Sequence, residues 1–250
     1  MSTHTSHRLR LDRLLVDRGL VDSREKAQRL ILAGLIMVNE QKVEKCGALV
    51  DAEAALRMLG EAPRYVSRGG LKLEGALEHF RLKPEARVCL DVGASTGGFT
   101  DCLLQHGAGK VFALDGGTNQ LDWKLRNDSR VVVLEKTNAR YLTFDRIGTR
   151  VDLVTIDVSF ISATLILPPI VPLLAAPADL LVLVKPQFEV GKGQVGKGGI
   201  VRDPAQHQEA VAKVSRKLLE LGFSNLASTE SPLMGAEGNR EFFVHAVWKK

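Results

Sequence analysis

Four residues able to carry charge or accept hydrogen bonds close short apolar runs in this chain: Asp91, Asp115, Asp157 and Lys185. A polar group at the end of a buried strand is costly unless it is paired or used. Asp91 leads into VGASTGGFTD, where Gly93 to Gly98 form a turn with little side-chain bulk. Backbone N–H groups of such a turn can face a ligand at the start of the following helix. The spacing narrows the ligand. A phosphate loop needs G-x-x-x-x-G-K-[ST], and Phe99 stands where its lysine belongs. A dinucleotide fingerprint needs G-x-G-x-x-G, and Ser95 occupies its second glycine, which disfavours an NAD-dependent dehydrogenase. An acid ending one strand, a G-x-S-x-G-G-F turn, and a second acid 24 positions later suit a ligand with an amino-acid end and a ribose. A carboxylate can accept the ribose hydroxyls. S-adenosylmethionine has that shape. The expected cofactor set is Asp91, Gly93, Ser95, Thr96, Gly97, Gly98, Phe99 and Asp115, with Asn138 and Asp157 from later strand ends. No metal is required.

The elements that must position these groups alternate. VCLDV is followed by KVFALD (110 to 115), RVVVLE (130 to 135), VDLVTID (151 to 157) and DLLVLVK (179 to 185), with amphipathic or proline-punctuated segments between them. Such alternation predicts an α/β fold with a doubly wound, mostly parallel sheet. Ligands of open parallel sheets lie beyond the carboxyl ends of the strands, so the four end residues should line one crevice. A helix is expected from about Leu71 to Phe80, carrying Lys72, and another over Pro204 to Leu221. FSNLASTE and EFFVHAVW read as a closing hairpin whose last strand is antiparallel and brings Glu241 to the same edge. After Lys185, PQFEVGKGQVGKGGIVRD holds five glycines and two lysines and reads as a mobile, substrate-facing lid.

The first third of the chain is a different module. RLDRLLVDRGL predicts a helix stopped by Gly19, and Asp22 with Glu25 makes a capping box for a second helix ending at Gly34. LIMVNEQKVEKCGALV predicts a small hairpin, giving a compact ααβ module to about Gly60. Of the net charge of +5, residues 1–87 hold 16 Lys/Arg against 12 Asp/Glu, a mild basic bias that permits a polyanionic partner. Three cysteines without a C-x-x-C pair point to neither a disulfide framework nor a zinc site and suggest a reducing cytoplasm. MSTHTSH reads as a flexible tail, not a signal peptide. The apolar stretch Ile161 to Val184 is broken by Pro168, Pro169, Pro172, Pro177 and Asp179, which argues against a membrane span.

RLDRLLVDRGLVDSREKAQRLILAGLIMVN resembles the S4 RNA-binding domain. That resemblance implies that Arg13, Arg24, Lys26 and Arg29 face RNA, where they can pair with phosphates. Arg64 and Arg68 of the connector and Lys192 and Lys197 of the glycine loop complete the expected RNA-facing set. YVSRGGLKL, LDVGASTGGFTD, DWKLRND, TIDVSFIS, LVKPQFEVGKG and EGNREFF together resemble the TlyA family, often labelled hemolysin A, of S-adenosylmethionine-dependent ribosomal RNA 2′-O-methyltransferases. This resemblance implies a Rossmann-like methyltransferase sheet with a small N-terminal α+β S4-like domain. It divides the chain into an S4-like domain with its tail (1–62), a linker (63–70) and a methyltransferase domain (71–250). It implies a Lys-Asp-Lys-Glu tetrad, as in RrmJ/FtsJ-like enzymes, falling on Lys72, Asp157, Lys185 and Glu241, and cytidine of ribosomal RNA as target. In that picture the lysines hold the 2′-oxygen and one, its pKa lowered by its neighbour, acts as base. The expected partner is ribosomal RNA or a ribosomal subunit, met by a cytoplasmic monomer. An RNA-binding protein without catalysis and a pore-forming hemolysin are the competing classes.

Overall fold

The computed structural model describes residues 8–21, 23–59, 63–235 and 237–250, and its contacts divide the chain into units Met1–Arg64 and Tyr65–Lys250. The smaller unit runs β1 (Arg8–Arg10), α1 (Leu11–Asp17), α2 (Arg24–Leu32), β2 (Ile36–Val38), β3 (Gln41–Lys42), β4 (Leu49–Asp51) and β5 (Leu56–Met58). Leu11 and Leu15 of α1 pack with Ala27, Leu30 and Ile31 of α2, so the i, i+3, i+4 stripes face each other as a small core. Asp22, the expected cap, lies outside the described residues, as does the 1–7 tail. Ser23 caps α2 instead, accepting from the Lys26 amide. The expected hairpin is β2–β3, turning through Asn39 and Glu40, both at positive φ. Such a two-residue turn matches the natural twist of the strands. The β1–β4 pair was not anticipated, because three-residue strands carry no readable alternation.

The larger unit continues with α3 (Gly69–Phe80), β6 (Val88–Val92), α4 (Gly98–Gln105), β7 (Lys110–Leu114), α5 (Trp123–Arg126), β8 (Val131–Leu134), α6 (Phe144–Ile147), β9 (Val151–Ile156), α7 (Leu167–Ile170), β10 (Leu174–Val184), α8 (Pro186–Glu189), α9 (Pro204–Glu220), β11 (Ser224–Glu230) and β12 (Phe242–Trp248). Its sheet has the order β11-β12-β10-β9-β6-β7-β8. From β10 to β8 every pairing is parallel, while β12 is antiparallel to both its neighbours. The chain lays β7 and β8 on one side of β6 and β9 and β10 on the other. The switch between β6 and β9 opens the crevice expected at their carboxyl ends.

Strand alternation sends neighbouring residues into two cores. Leu90, Val154 and Val182 pack with Ala210, Val214 and Leu218 of α9 on one face. Cys89, Leu153 and Leu181 pack with Leu73 and Leu77 of α3 and Leu103 of α4 on the other. Two boundaries differ from the sequence reading. β10 begins at Leu174, upstream of Asp179, although its pairing with β9 is interrupted between Leu174 and Asp179. The connector is ordered from Tyr65 onward: Tyr65 and Val66 are buried in the larger unit's core, and Gly69 and Gly70 already belong to α3. No described helix is long and apolar enough to cross a membrane.

Candidate active site

The turn after β6 is shaped by what a side chain would strike. A Cβ on Gly93, at φ +88, would lie 2.2 Å from the Asp157 carbonyl oxygen, and one on Gly97, at φ +98, would lie 2.2 Å from Leu125 Cδ1. On Gly98 it would meet Ser67 Oγ at 2.2 Å. These glycines let the turn lie directly against β9's end, α5 and the segment before α3. Ser95 takes φ +49, a conformation costing on the order of 1 kcal/mol in a non-glycine residue. Its amide donates to Asp115 Oδ2 at 2.8 Å, and the Gly117 amide donates to Oδ1 at 2.7 Å. Asp115 is thereby fixed at the end of β7, and each of its oxygens retains a further lone pair.

Asp91 lies beneath this turn, fully buried, and accepts from Thr100 Oγ1 at 2.7 Å and Thr155 Oγ1 at 3.1 Å. Burial pushes its carboxyl up to about 7, and the two hydroxyl bonds oppose that rise. Asp91 therefore ties α4 to β6 and β9 and is not among the residues lining the crevice.

Above the turn is a cavity of about 190 Å³ whose lining includes Ser67, Arg68, Lys72, Ser95, Thr96, Phe99, Asp157 and Met234. Two ion pairs each place one member in this lining, Lys72 and Asp157, with Glu241 and Lys185 as the partners behind them. Lys72 Nζ of α3 lies 2.6 Å from Glu241 Oε2, the pair being 12% and 3% exposed. Lys185 Nζ lies 2.6 Å from Asp157 Oδ1, an ionic contact without hydrogen-bond alignment, at 12% and 23% exposure. Lys185 also donates to Ser159 Oγ at 2.9 Å. The sheet explains the meeting: Phe242 is opposite Val184, so Glu241 and Lys185 follow one another onto the same edge. The Asp157 amide donates to the Val92 carbonyl, fixing that residue beside the turn. α3 is held there because the Val66 amide donates to Asp101 Oδ2 of α4 at 2.9 Å, while Leu73, Ala76 and Leu77 are buried.

The remaining expected residues are dispersed. Asn138 is exposed past β8, where its side chain accepts from the Arg140 amide, away from the cavity lining. On the smaller unit Arg13 is exposed beside Asp17 at 3.6 Å, Arg24 pairs with Asp12 at 3.0 Å, and Lys26 and Arg29 are half-buried on α2. Arg64 and Lys197 are exposed, whereas Arg68 lines the cavity; the Lys192 side chain lies outside the described part.

The sequence reading missed Asn239. It is 1% exposed, its Oδ1 accepts from the Val201 amide and its Nδ2 donates to the Gly199 carbonyl, both at 2.9 Å. It fastens the glycine loop to the residues just before Glu241. Glu189 fastens the loop's other end, accepting from the Ala163 amide at 2.7 Å and pairing with Lys213 at 3.0 Å. An asparagine in the polar run EGNR carries no sign of burial, so sequence alone offered only its place in the motif.

The sequence pattern of the FtsJ-like methyltransferases matches residues 65–248, and that of the S4 domain matches residues 9–55. The chain is 50% identical over 240 residues to the 16S/23S rRNA (cytidine-2′-O)-methyltransferase TlyA of Mycobacterium tuberculosis, covering 96% of this chain and 90% of that protein. It is 43% identical to Hemolysin A of Brachyspira hyodysenteriae over 96% of this chain and all of that one. A solved Streptococcus thermophilus structure carrying a hemolysin label superimposes with a TM-score of 0.76 at 44% identity, covering 97% of this chain and 89% of its own. A Listeria monocytogenes structure described as an S-adenosylmethionine dependent methyltransferase, at 14% identity and a TM-score of 0.55, shares the fold over 74% of this chain and all of that one.

Proposed function

The chain belongs to the FtsJ-like methyltransferase family and carries an S4 domain, and from that premise we propose that it transfers a methyl group from S-adenosylmethionine to the ribose 2′-hydroxyl of cytidine in ribosomal RNA, as a cytoplasmic monomer. The observation that carries this reading is the two lysine–carboxylate pairs, each 2.6 Å apart, of which Lys72 and Asp157 line the crevice that also holds the glycine turn. Ribosomal RNA and cytidine follow from what the relative at 50% identity is named for.

The residues present fit the cofactor. Gly93, Gly97 and Gly98 leave no room for side chains, so the turn offers backbone where an amino-acid end would rest. Asp115, held by two amides at the neighbouring strand end, offers oxygens to ribose hydroxyls. When bound there, S-adenosylmethionine supplies an electrophilic methyl group on a sulfonium.

A ribose hydroxyl is a weak nucleophile at neutral pH, so the protein's task is to hold it in line and to stabilise charge growing on its oxygen. Lys72 and Lys185 are placed for this: one of them, entering without its proton, accepts the proton of the 2′-hydroxyl, and the other, as ammonium, stabilises the charge on the oxygen. Glu241 and Asp157 fix their Nζ atoms, so little reorganisation is needed as charge develops. Arg68, on the same cavity wall, is placed to meet a phosphate beside the target ribose. An RNA-binding protein with an inert α/β unit would have no use for two such pairs beside a strained turn.

The test is chemical. The full chain is incubated with ribosomal RNA and methyl-labelled S-adenosylmethionine, and the RNA is digested to nucleosides. Label is expected in 2′-O-methylcytidine. Label confined to base-methylated nucleosides, or no transfer, would refute the reading.

A further inference from the structure

A strand-end acid, Glu135, takes no part in either ion pair of the crevice. It follows β8, whose last residue, Leu134, accepts from the Asp115 amide at 3.1 Å, and its side chain is 13% exposed. Its Oε2 accepts from the Asn119 amide at 2.9 Å and its Oε1 from the Gln120 amide at 3.1 Å. Arg126 Nη2 also donates to Oε1, while Arg126 Nε donates to the Leu121 carbonyl at 3.0 Å. Burial works to raise the Glu135 carboxyl, but the Asn119 amide, Arg126 and the Gln120 and Leu121 amides outweigh it and hold the group below the ordinary carboxylate range.

What this carboxylate holds is an arch of chain, residues 116–121, both of whose feet stand on the glycine turn. At one foot Asp115 accepts from the Ser95 amide, and at the other the Asp122 amide donates to the Thr96 carbonyl at 3.1 Å. The arch is not of a kind that keeps its shape unaided. Residues 116 and 118–120 are exposed, and Asn119 sits at φ +54, where a residue with a side chain is strained. The Lys136 amide, next after Glu135, donates to the Gly117 carbonyl at 3.0 Å and fastens the near side as well. Gln120 Nε2 lies across Gly117 beside Asp115: a Cβ on that glycine would come within 2.0 Å of Nε2 and 3.0 Å of Asp115 Oδ1. Successive amides turned onto one anion are a common way for backbone to wrap a bound ligand. Here the anion is the protein's own.

We propose that Glu135 is a positioning residue for the nucleoside half of the cofactor: by gripping the arch it presents Asp115 and the backbone around it in the form that takes adenosine. The inference rests on the reading that Asp115 accepts the ribose hydroxyls, and it adds the residue that builds that half of the site. Its consequence separates the two ends of one ligand. The turn that receives the amino-acid end is shaped by its own glycines, whereas the arch beside Asp115 depends on Glu135. An arch that keeps its binding form only about a tenth of the time lowers affinity about tenfold, because the ligand binds that form alone. Loss of Glu135 should therefore fall equally on every ligand that carries adenosine.

The experiment is calorimetric titration of the full chain with S-adenosylhomocysteine, which carries both ends, and with methylthioadenosine, which lacks the amino-acid end. It uses wild type, Glu135→Gln, Arg126→Lys and Asp115→Ala, with thermal melting and backbone hydrogen exchange recorded for each. Glu135→Gln is expected to bind both ligands about tenfold more weakly, and its amides over 117–121 to exchange faster until ligand is added. In methyl transfer the same variant should raise KM for S-adenosylmethionine about tenfold and leave kcat essentially unchanged, because Lys72 and Lys185 are not disturbed. A folded Glu135→Gln that binds both ligands as tightly as wild type, whatever its exchange, has lost only a structural residue and overturns the proposal. Weaker binding of S-adenosylhomocysteine alone overturns it too, since the loss then lies at the amino-acid end. If Glu135→Gln does not melt cooperatively, Arg126→Lys decides by the same two criteria. Asp115→Ala binding both ligands as tightly as wild type defeats the reading on which the proposal rests, a result that stands apart because it involves neither Glu135 nor Arg126.

Discussion

Asp91 and Asp157 end adjacent strands, and their surroundings give the same side chain opposite work. Asp157 is partly exposed and faces Lys185, whereas Asp91 has no exposed surface and no ion-pair partner among the described residues. Burial, the larger influence, raises Asp91 to about 7 from an ordinary 3.8. A folded-state pKa above the unfolded one means the folded chain holds the extra proton between those values. Its stabilising contribution is complete below about pH 4 and is lost as pH rises toward 7, by at most about 1.4 kcal/mol per pH unit. Urea unfolding of wild type and Asp91→Asn from pH 4 to 7 should therefore show the variant gaining on wild type as pH increases. A difference that stays constant over that range would mean that the carboxylate is ionised throughout. The sequence reading took Asp91 for a cofactor ligand. In the structure its two oxygens accept from Thr100 of α4 and Thr155 of β9 within the core.

At the scale of elements, the glycine loop after β10 is fastened at Glu189 and again at Asn239, which leaves 190–198 between the two anchors. Asn239→Ala would strand the Val201 amide and the Gly199 carbonyl, at a cost of about 1 to 3 kcal/mol. It would also loosen the approach to Glu241, two residues on. Denaturant unfolding should register that loss, and methyl transfer at limiting RNA should fall while cofactor affinity holds. Transfer at the wild-type rate would show that the clasp has no part in presenting substrate. The strands 88–92, 110–114, 131–134 and 151–156 were legible because short apolar runs between polar helices have few other solutions. The upstream part of β10 was hidden by Pro177, and β1–β4 by brevity. Asn239's contacts lie 38 and 40 positions away in sequence, a distance at which no local pattern speaks.

Across the whole molecule, bulk charge explains little. Residues 1–64 hold 11 Lys/Arg against 9 Asp/Glu, too even a balance to draw RNA by net field alone. Placement has to supply what quantity does not, and composition could not reveal it. The same holds for the site: the motifs named the tetrad, but only the antiparallel β12 explains how residue 241 reaches residue 72. Which member best tests the account is decided by solvation. Removing Lys72 would leave Glu241, 3% exposed, as a buried unpaired charge, a change that costs about 3 to 5 kcal/mol and confuses folding with chemistry. Removing Lys185 leaves Asp157, whose side chain is 23% exposed although its Oδ1 is buried, so the stranded charge is the less enclosed of the two. The most direct measurement is therefore single-turnover methyl transfer to saturating ribosomal RNA by wild type and Lys185→Ala, with melting and cofactor affinity recorded for both. The account predicts a rate lower by about 100- to 1000-fold with fold and cofactor affinity essentially unchanged. A Lys185→Ala rate within a few-fold of wild type would contradict it and leave the lysine a structural ion-pair partner.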